Sequence, residues 1–228
     1  MRGAWLGSLL AAALVAAGCT GAGVPPANAT IAPASADTGL PAGEYRTNVF
    51  VPPISYTLPA GWRVAGDAAD YFALQPATSD TIGIHVFRSP SAASQEADCP
   101  IAPAPLVGSA AKDLVAWIAG RPGLVVGEPV AVSIGGLSGL QVDAAIVDGW
   151  TPSCPFADGA PTVPLFVNPS DPSFRWVIGG SERLRLSVLD VPGKGTVVVD
   201  IDAFDGSQMD GLLAAAAPIV ASMRFGLP

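Results

Sequence analysis

Catalysis needs side chains that move protons, attack a substrate or hold a metal, and this chain has few of them in suitable company. His85 is the only histidine. In Ile84-His85-Val86-Phe87 it falls on the strand face opposite Ile82, Ile84 and Val86. That reads as a hydrogen-bonded or half-exposed sheet histidine rather than a catalytic one. A serine nucleophile needs a base within hydrogen-bond reach. Gly136-Leu137-Ser138-Gly139 puts Leu140 where the second glycine of a nucleophile elbow belongs, so it reads as a strand-connecting turn. The run from Asp200 to Gly206 approximates a calcium loop. Phe204, however, stands where an oxygen ligand belongs, and no Glu closes the loop. Asp200 and Asp202 alternate with Val199 and Ile201, so the expectation is an exposed strand face. No Gly-rich phosphate loop follows a strand, and C-x-x-C does not occur. Paired carboxylates for glycoside chemistry stay open, because 19 acidic residues supply near pairs. No catalytic residue, metal ligand or cofactor is assigned, and the expectation is a chain that is not an enzyme.

The cysteines carry the chemistry that spacing does define. Arg2 is the only charge before Asp37, and Trp5 to Ala17 is apolar or small. A basic end, an apolar core and small residues make the layout of a secretory signal peptide. The stretch is shorter than the roughly 20 apolar residues a spanning helix needs. Ala16-Ala17-Gly18-Cys19 resembles the lipobox of bacterial lipoproteins, in which the Cys receives a diacylglycerol and cleavage falls just before it. Ala16 departs from the usual Leu. The resemblance implies residues 1–18 as signal peptide, Cys19 as the lipidated residue, and palmitate-type acylation. Two acyl chains give stable anchoring where one does not.

With Cys19 used, Cys99 and Cys154 remain. Outside the cytoplasm an even pair reads as a disulfide, with two free thiols or a metal as alternatives. Two Cys and one His are too few ligands for a metal. Residues 19–43 form the lipidated Cys and an Ala/Pro/Gly tether without apolar periodicity, too poor in apolar surface to fold. Its coil span is roughly 25–30 Å. Removing Arg2 from the 11 basic residues leaves 10 against 19 acidic ones, a net charge of −9. Such a chain is repelled by nucleic acid, and it has no Lys/Arg cluster to reverse that. The acidity reads as serving solubility.

Residues 44–228 have the length of one domain with a real core. Alternation marks strands at 54–58, 140–147 and from Arg183; 71–75 and 81–87, split by a Pro/Ser/Asp turn, and 128–134 read as further strands, 163–167 as a short one, and Pro192-Gly193-Lys194-Gly195 turns into a strand over 197–203. Ser109 is placed to cap a helix ending at Gly120, with Ala111, Leu114, Val115 and Ile118 inward. Asp205 or Ser207 is placed to cap a closing helix to about Ser222, interrupted by Pro218, with 223–225 packing it down. The segment 148–180 reads as long and irregular, and long ordered loops are often functional. It carries Trp150, Phe156, Phe166, Phe174, Arg175 and Trp176. Trp150, Arg175 and Trp176 are the ligand-contact candidates; the alternative is that these aromatics cap an open end of the core.

The opening "YTLPAGW", the stretch "LVAWIAGRPGLVVGEPVAVSIGGLSGLQVD", the hairpin "LRLSVLDVPGKGTVVVDIDAF" and the last helix "LLAAAAPIVASMRF" resemble a group of exported lipoproteins of actinobacteria and chloroflexi. Their layout is similar to the PsbP-like α+β fold. The resemblance implies one antiparallel sheet with two main helices packed on it. It also implies a binding or assembly role rather than catalysis. The expected partners are the membrane, through Cys19, and a cell-envelope protein, glycan or lipid. The expected function is a membrane-anchored, extracytoplasmic, non-enzymatic binding or accessory module. A carrier of lipid or a small hydrophobe, and an envelope hydrolase using carboxylates, are the alternatives.

Overall fold

The computed structural model describes residues 39–226 except Pro169. The signal-peptide reading and Cys19 lie outside the described residues, as does most of the tether. Within them Leu40 already pairs with Trp62.

The elements in chain order are β1 (Gly43–Arg46), β2 (Ile54–Leu58), β3 (Trp62–Asp67), β4 (Tyr71–Pro76), β5 (Ile82–Arg88), β6 (Ser91–Ala92) and α1 (Ala111–Ala119). After these come β7 (Leu124–Val126), β8 (Val130–Ile134), β9 (Leu137–Ile146), β10 (Thr162–Asn168), β11 (Asp171–Gly179), β12 (Arg183–Val191) and β13 (Gly195–Ala203). A 3₁₀ turn at Gly206–Gln208, α2 (Met209–Ser222) and β14 (Arg224–Phe225) close the chain. Antiparallel sheet and two helices are present as expected. The single sheet is not: among the described residues there are three. The largest runs β3-β4-β5-β13-β12-β9-β7, with β8 added on β9; β1-β2-β14 and β11-β10-β6 are separate.

The large sheet is buried on both faces, and strand alternation sorts its side chains between two cores. Val197, Val199, Ile201, Ile84 and Leu189 face α2 and the sheet of β1, β2 and β14. Val198, Phe87, Leu184, Leu186 and Val188 face α1 and the sheet of β10 and β11. Each such side chain contributes about 1.5–3 kcal/mol when fully buried. Helix α1 buries Ala111, Leu114, Val115 and Ile118 as expected. Its N-terminus is not capped by Ser109. Asp190 on β12 accepts from the Ala111 N–H at 2.8 Å, a partner 79 residues away that local pattern does not reveal. Asp205 does cap the turn before α2, accepting from the Ser207 N–H at 3.0 Å. Met223 and Phe225 are buried, closing that end.

Cys99 and Cys154 are joined in a disulfide with a Cα–Cα distance of 5.6 Å. It ties the segment after β6 to the one before β10. The stretch 148–180 is not irregular throughout: β10 and β11 form a hairpin within it. Pro164 and Pro172 obscure the strand pattern there, as does the register shift after Pro164. No helix among the described residues is long and apolar enough to cross a membrane.

Candidate functional site

The hairpin of β10 and β11 decides what lies on the inner face of β5 and β13. Asp200 and Asp202 point to that face. They are 0% and 6% exposed, so the expectation of an exposed strand face is overturned. Alternation identified Val199 and Ile201 as one apolar face. It did not reveal that Trp176 and its neighbours cover the other.

His85 stands opposite Asp200 on the adjacent strand and is itself buried. Its neighbour Gly83 is required by space: a Cβ there would lie 2.9 Å from His85 Nε2. The Tyr71 hydroxyl lies 2.7 Å from His85 Nδ1. Burial chiefly, then Asp202 and Asp200, push the Tyr71 phenol up to about 12, so its hydroxyl keeps its proton. The direction of the hydrogen bond with Nδ1 follows the imidazole tautomer. Nε2 is 3.0 Å from Asp202 Oδ1. The approach is close but poorly aligned, and Asp202 Oδ1 has no directed hydrogen-bond donor, nor does Asp200 Oδ1. The other Asp200 oxygen accepts from Trp176 Nε1 at 2.8 Å.

Glu182 completes the group from the turn between β11 and β12. Its Oε2 accepts from the Gly179 N–H at 2.8 Å, which folds the side chain back over Asp202. Burial raises its carboxyl to about 8. The Gly179 N–H opposes this, while Asp202 adds to it through its charge and by sharing a proton. Asp200 is held well above the carboxylate range by burial first, then by Asp202 and Glu182, against the opposing Trp176 N–H. Glu182 and Asp200 are therefore held as acids well above the usual carboxylate range. Part of the chain's acidity is thus buried.

A cleft of about 320 Å³ opens on this group. Asp202, Glu182 and His85 form its floor, Trp176 and Phe204 its walls, and Arg175 stands at its side. Phe204 is 61% exposed. Of the sequence candidates, Trp176 and Arg175 meet here. Trp150 does not: its Nε1 donates to the Thr162 carbonyl at 3.1 Å and it packs on the core. Phe166 and Phe174 stack against Phe87 within the core, and Arg175 lies over the Phe156 ring at 4.4 Å. The missed residues are Glu182 and the two aspartates. The available signal was Val198, an apolar residue on the same face as Asp200 in a strand that is apolar on both sides. Among the described residues, no group of three or more His, Cys, Asp or Glu is arranged to hold a metal ion.

Fold and cleft define a disulfide-stapled, antiparallel α+β domain with a buried acidic site. No family model matches the chain, and no curated protein matches it. Among solved structures, it is similar to LpqN, involved in cell envelope biogenesis of Mycobacterium tuberculosis, at 14% identity and a TM-score of 0.41, over 82% of this chain and 86% of that one. It is also similar to the cyanobacterial PsbP (CyanoP) of Synechocystis sp. PCC 6803, at 10% identity and a TM-score of 0.40, over 81% and 94%. A Bacteroides thetaiotaomicron protein is similar at 11% identity and a TM-score of 0.37; 76% of this chain matches, but only 45% of that chain's length.

Proposed function

We propose that this chain is a membrane-anchored extracytoplasmic lipoprotein whose folded domain is a non-enzymatic binding or accessory module. The observation that carries it is the cleft: an aromatic-walled hollow lined by the buried Asp202, whose Oδ1 lacks a directed donor. Concave sites with a few convergent polar groups are where small ligands bind. The Cys99–Cys154 disulfide supports an oxidising compartment. The lipobox-like Ala16-Ala17-Gly18-Cys19 supports anchoring through Cys19. The test is thermal melting of the full chain against cell-envelope extracts and purified glycans, alongside alkyne-fatty-acid labelling of wild type and Cys19→Ala. Stabilisation by a defined fraction, with labelling lost in the variant, is expected. Stabilisation by none, or equal labelling, refutes the corresponding half of the proposal.

One observation favours a second reading. Glu182, raised to about 8 beside Asp202, has the character of a general acid at neutral pH. An envelope hydrolase using this carboxyl pair would show a pH–rate profile that falls on the alkaline side and is abolished in Glu182→Gln.

A further inference from the structure

The floor of the cleft has more acceptors than donors. Asp202 is about nine-tenths buried in its side chain, lines the cleft, and presents Oδ1 without a directed donor. The titratable and charged groups facing it come from several elements. They are His85 on β5, Tyr71 on β4, Asp200 on β13, Glu182 on the β11–β12 turn, Arg175 on β11, and Asp80 before β5. Of the cations nearby, Arg175 is occupied by the ring of Phe156 and Arg63 by the Gln75 side chain at 2.6 Å. Besides His85, Arg175 is the one basic side chain lining the cleft among the described residues, and it is turned onto the Phe156 ring.

We infer that this cleft is a receptor for a small organic cation, a primary ammonium or guanidinium group whose N–H donors meet Asp202 and Glu182 between Trp176 and Phe204. This rests on the binding reading above and names its ligand class. A metal ion fits poorly, since the acidic side chains are not arranged around one position. A neutral sugar would supply donors to Asp202 Oδ1 but no counter-charge for a carboxylate ionising there. An ammonium or guanidinium supplies both, and an aromatic wall adds attraction for a cation. Binding displaces the proton that Glu182 holds, which goes to solvent, so the ligand competes with protons.

The test is titration of the full chain with methylguanidinium and with butylammonium, reading the Trp176 indole N–H by two-dimensional NMR, with glucose as the neutral arm. Methylguanidinium stays charged throughout the pH range. Saturable shifts are expected, with affinity rising up to about tenfold per pH unit below the carboxyl's own pKa. Glu182→Gln is expected to remove most of that pH dependence and to weaken binding about tenfold or more on the alkaline side. Asp202→Asn gives an independent check should Glu182→Gln perturb folding. A shift with glucose and none with either cation would overturn the inference while leaving a binding module standing. Cation binding indifferent to both substitutions and to pH would also overturn it. No response to any of the three probes refutes the cation receptor, and only the envelope-extract melting then bears on the broader reading.

Discussion

Glu182→Gln isolates the energetic cost of the buried acid. In the fold Glu182 keeps its proton to about 8, against 4.5 for the free side chain. Each pKa unit is about 1.4 kcal/mol, so charging this group in the fold costs on the order of 5 kcal/mol. Relaxation and water entry around a buried charge lower this cost, so the substitution recovers only part of it, roughly 2–4 kcal/mol. The sign follows from proton counting. Between 4.5 and about 8 the folded chain holds a proton that the unfolded chain has released. Stability therefore declines as pH rises through that window and levels off above it. Gln keeps an oxygen for the Gly179 N–H and cannot ionise. On the alkaline side, Glu182→Gln should raise Tm by about 5–15 °C in a domain of this size. Near the acidic edge of the window the two proteins should melt together. A residual slope from Asp200, which is also held protonated, is expected in both. Thermal melts followed by circular dichroism across the window make the measurement. Parallel Tm curves at every pH would falsify the account of a buried, proton-holding carboxyl.

Other consequences are simpler to measure. Cys99→Ser with Cys154→Ser opens a loop with a sequence separation of 55, and chain entropy puts the loss at about 4 kcal/mol; chemical denaturation with and without reductant checks it. Asp190→Ala should cost about 1 kcal/mol by uncapping α1, whereas Ser109→Ala should leave stability unchanged; an equal effect of both would contradict the long-range cap. Asp67 accepts from the N–H groups of Asn48, Val49 and Phe50 at 2.7, 3.2 and 3.0 Å. Asp67→Ala should therefore destabilise by about 1–3 kcal/mol and expose the 48–50 loop to faster hydrogen exchange.

The elements that repeat a local pattern were legible in the sequence. Strands β2, β9 and β12 announce themselves by apolar alternation in the sequence, and α1 by the spacing of Leu114, Val115 and Ile118. Where proline and bulges break the period, as in β10 and β11, the pattern fades although the backbone hydrogen bonds persist. The same failure hid the site. Asp200 and Asp202 look like a solvated face until the β10–β11 hairpin is laid over them.

The sequence by itself determined the covalent and compositional features: a lipobox-like Cys19, an even pair of remaining cysteines, an acid excess and an α+β alternation rich in strands. These depend on residue identity and near-neighbour spacing, which the chain carries directly. Tertiary structure alone decided that three carboxyls would be buried together beside His85 and Trp176. Burial and neighbouring charge set the proton affinity of Glu182 and Asp200, and both arise from segments as far apart in the chain as β5, β11 and β13.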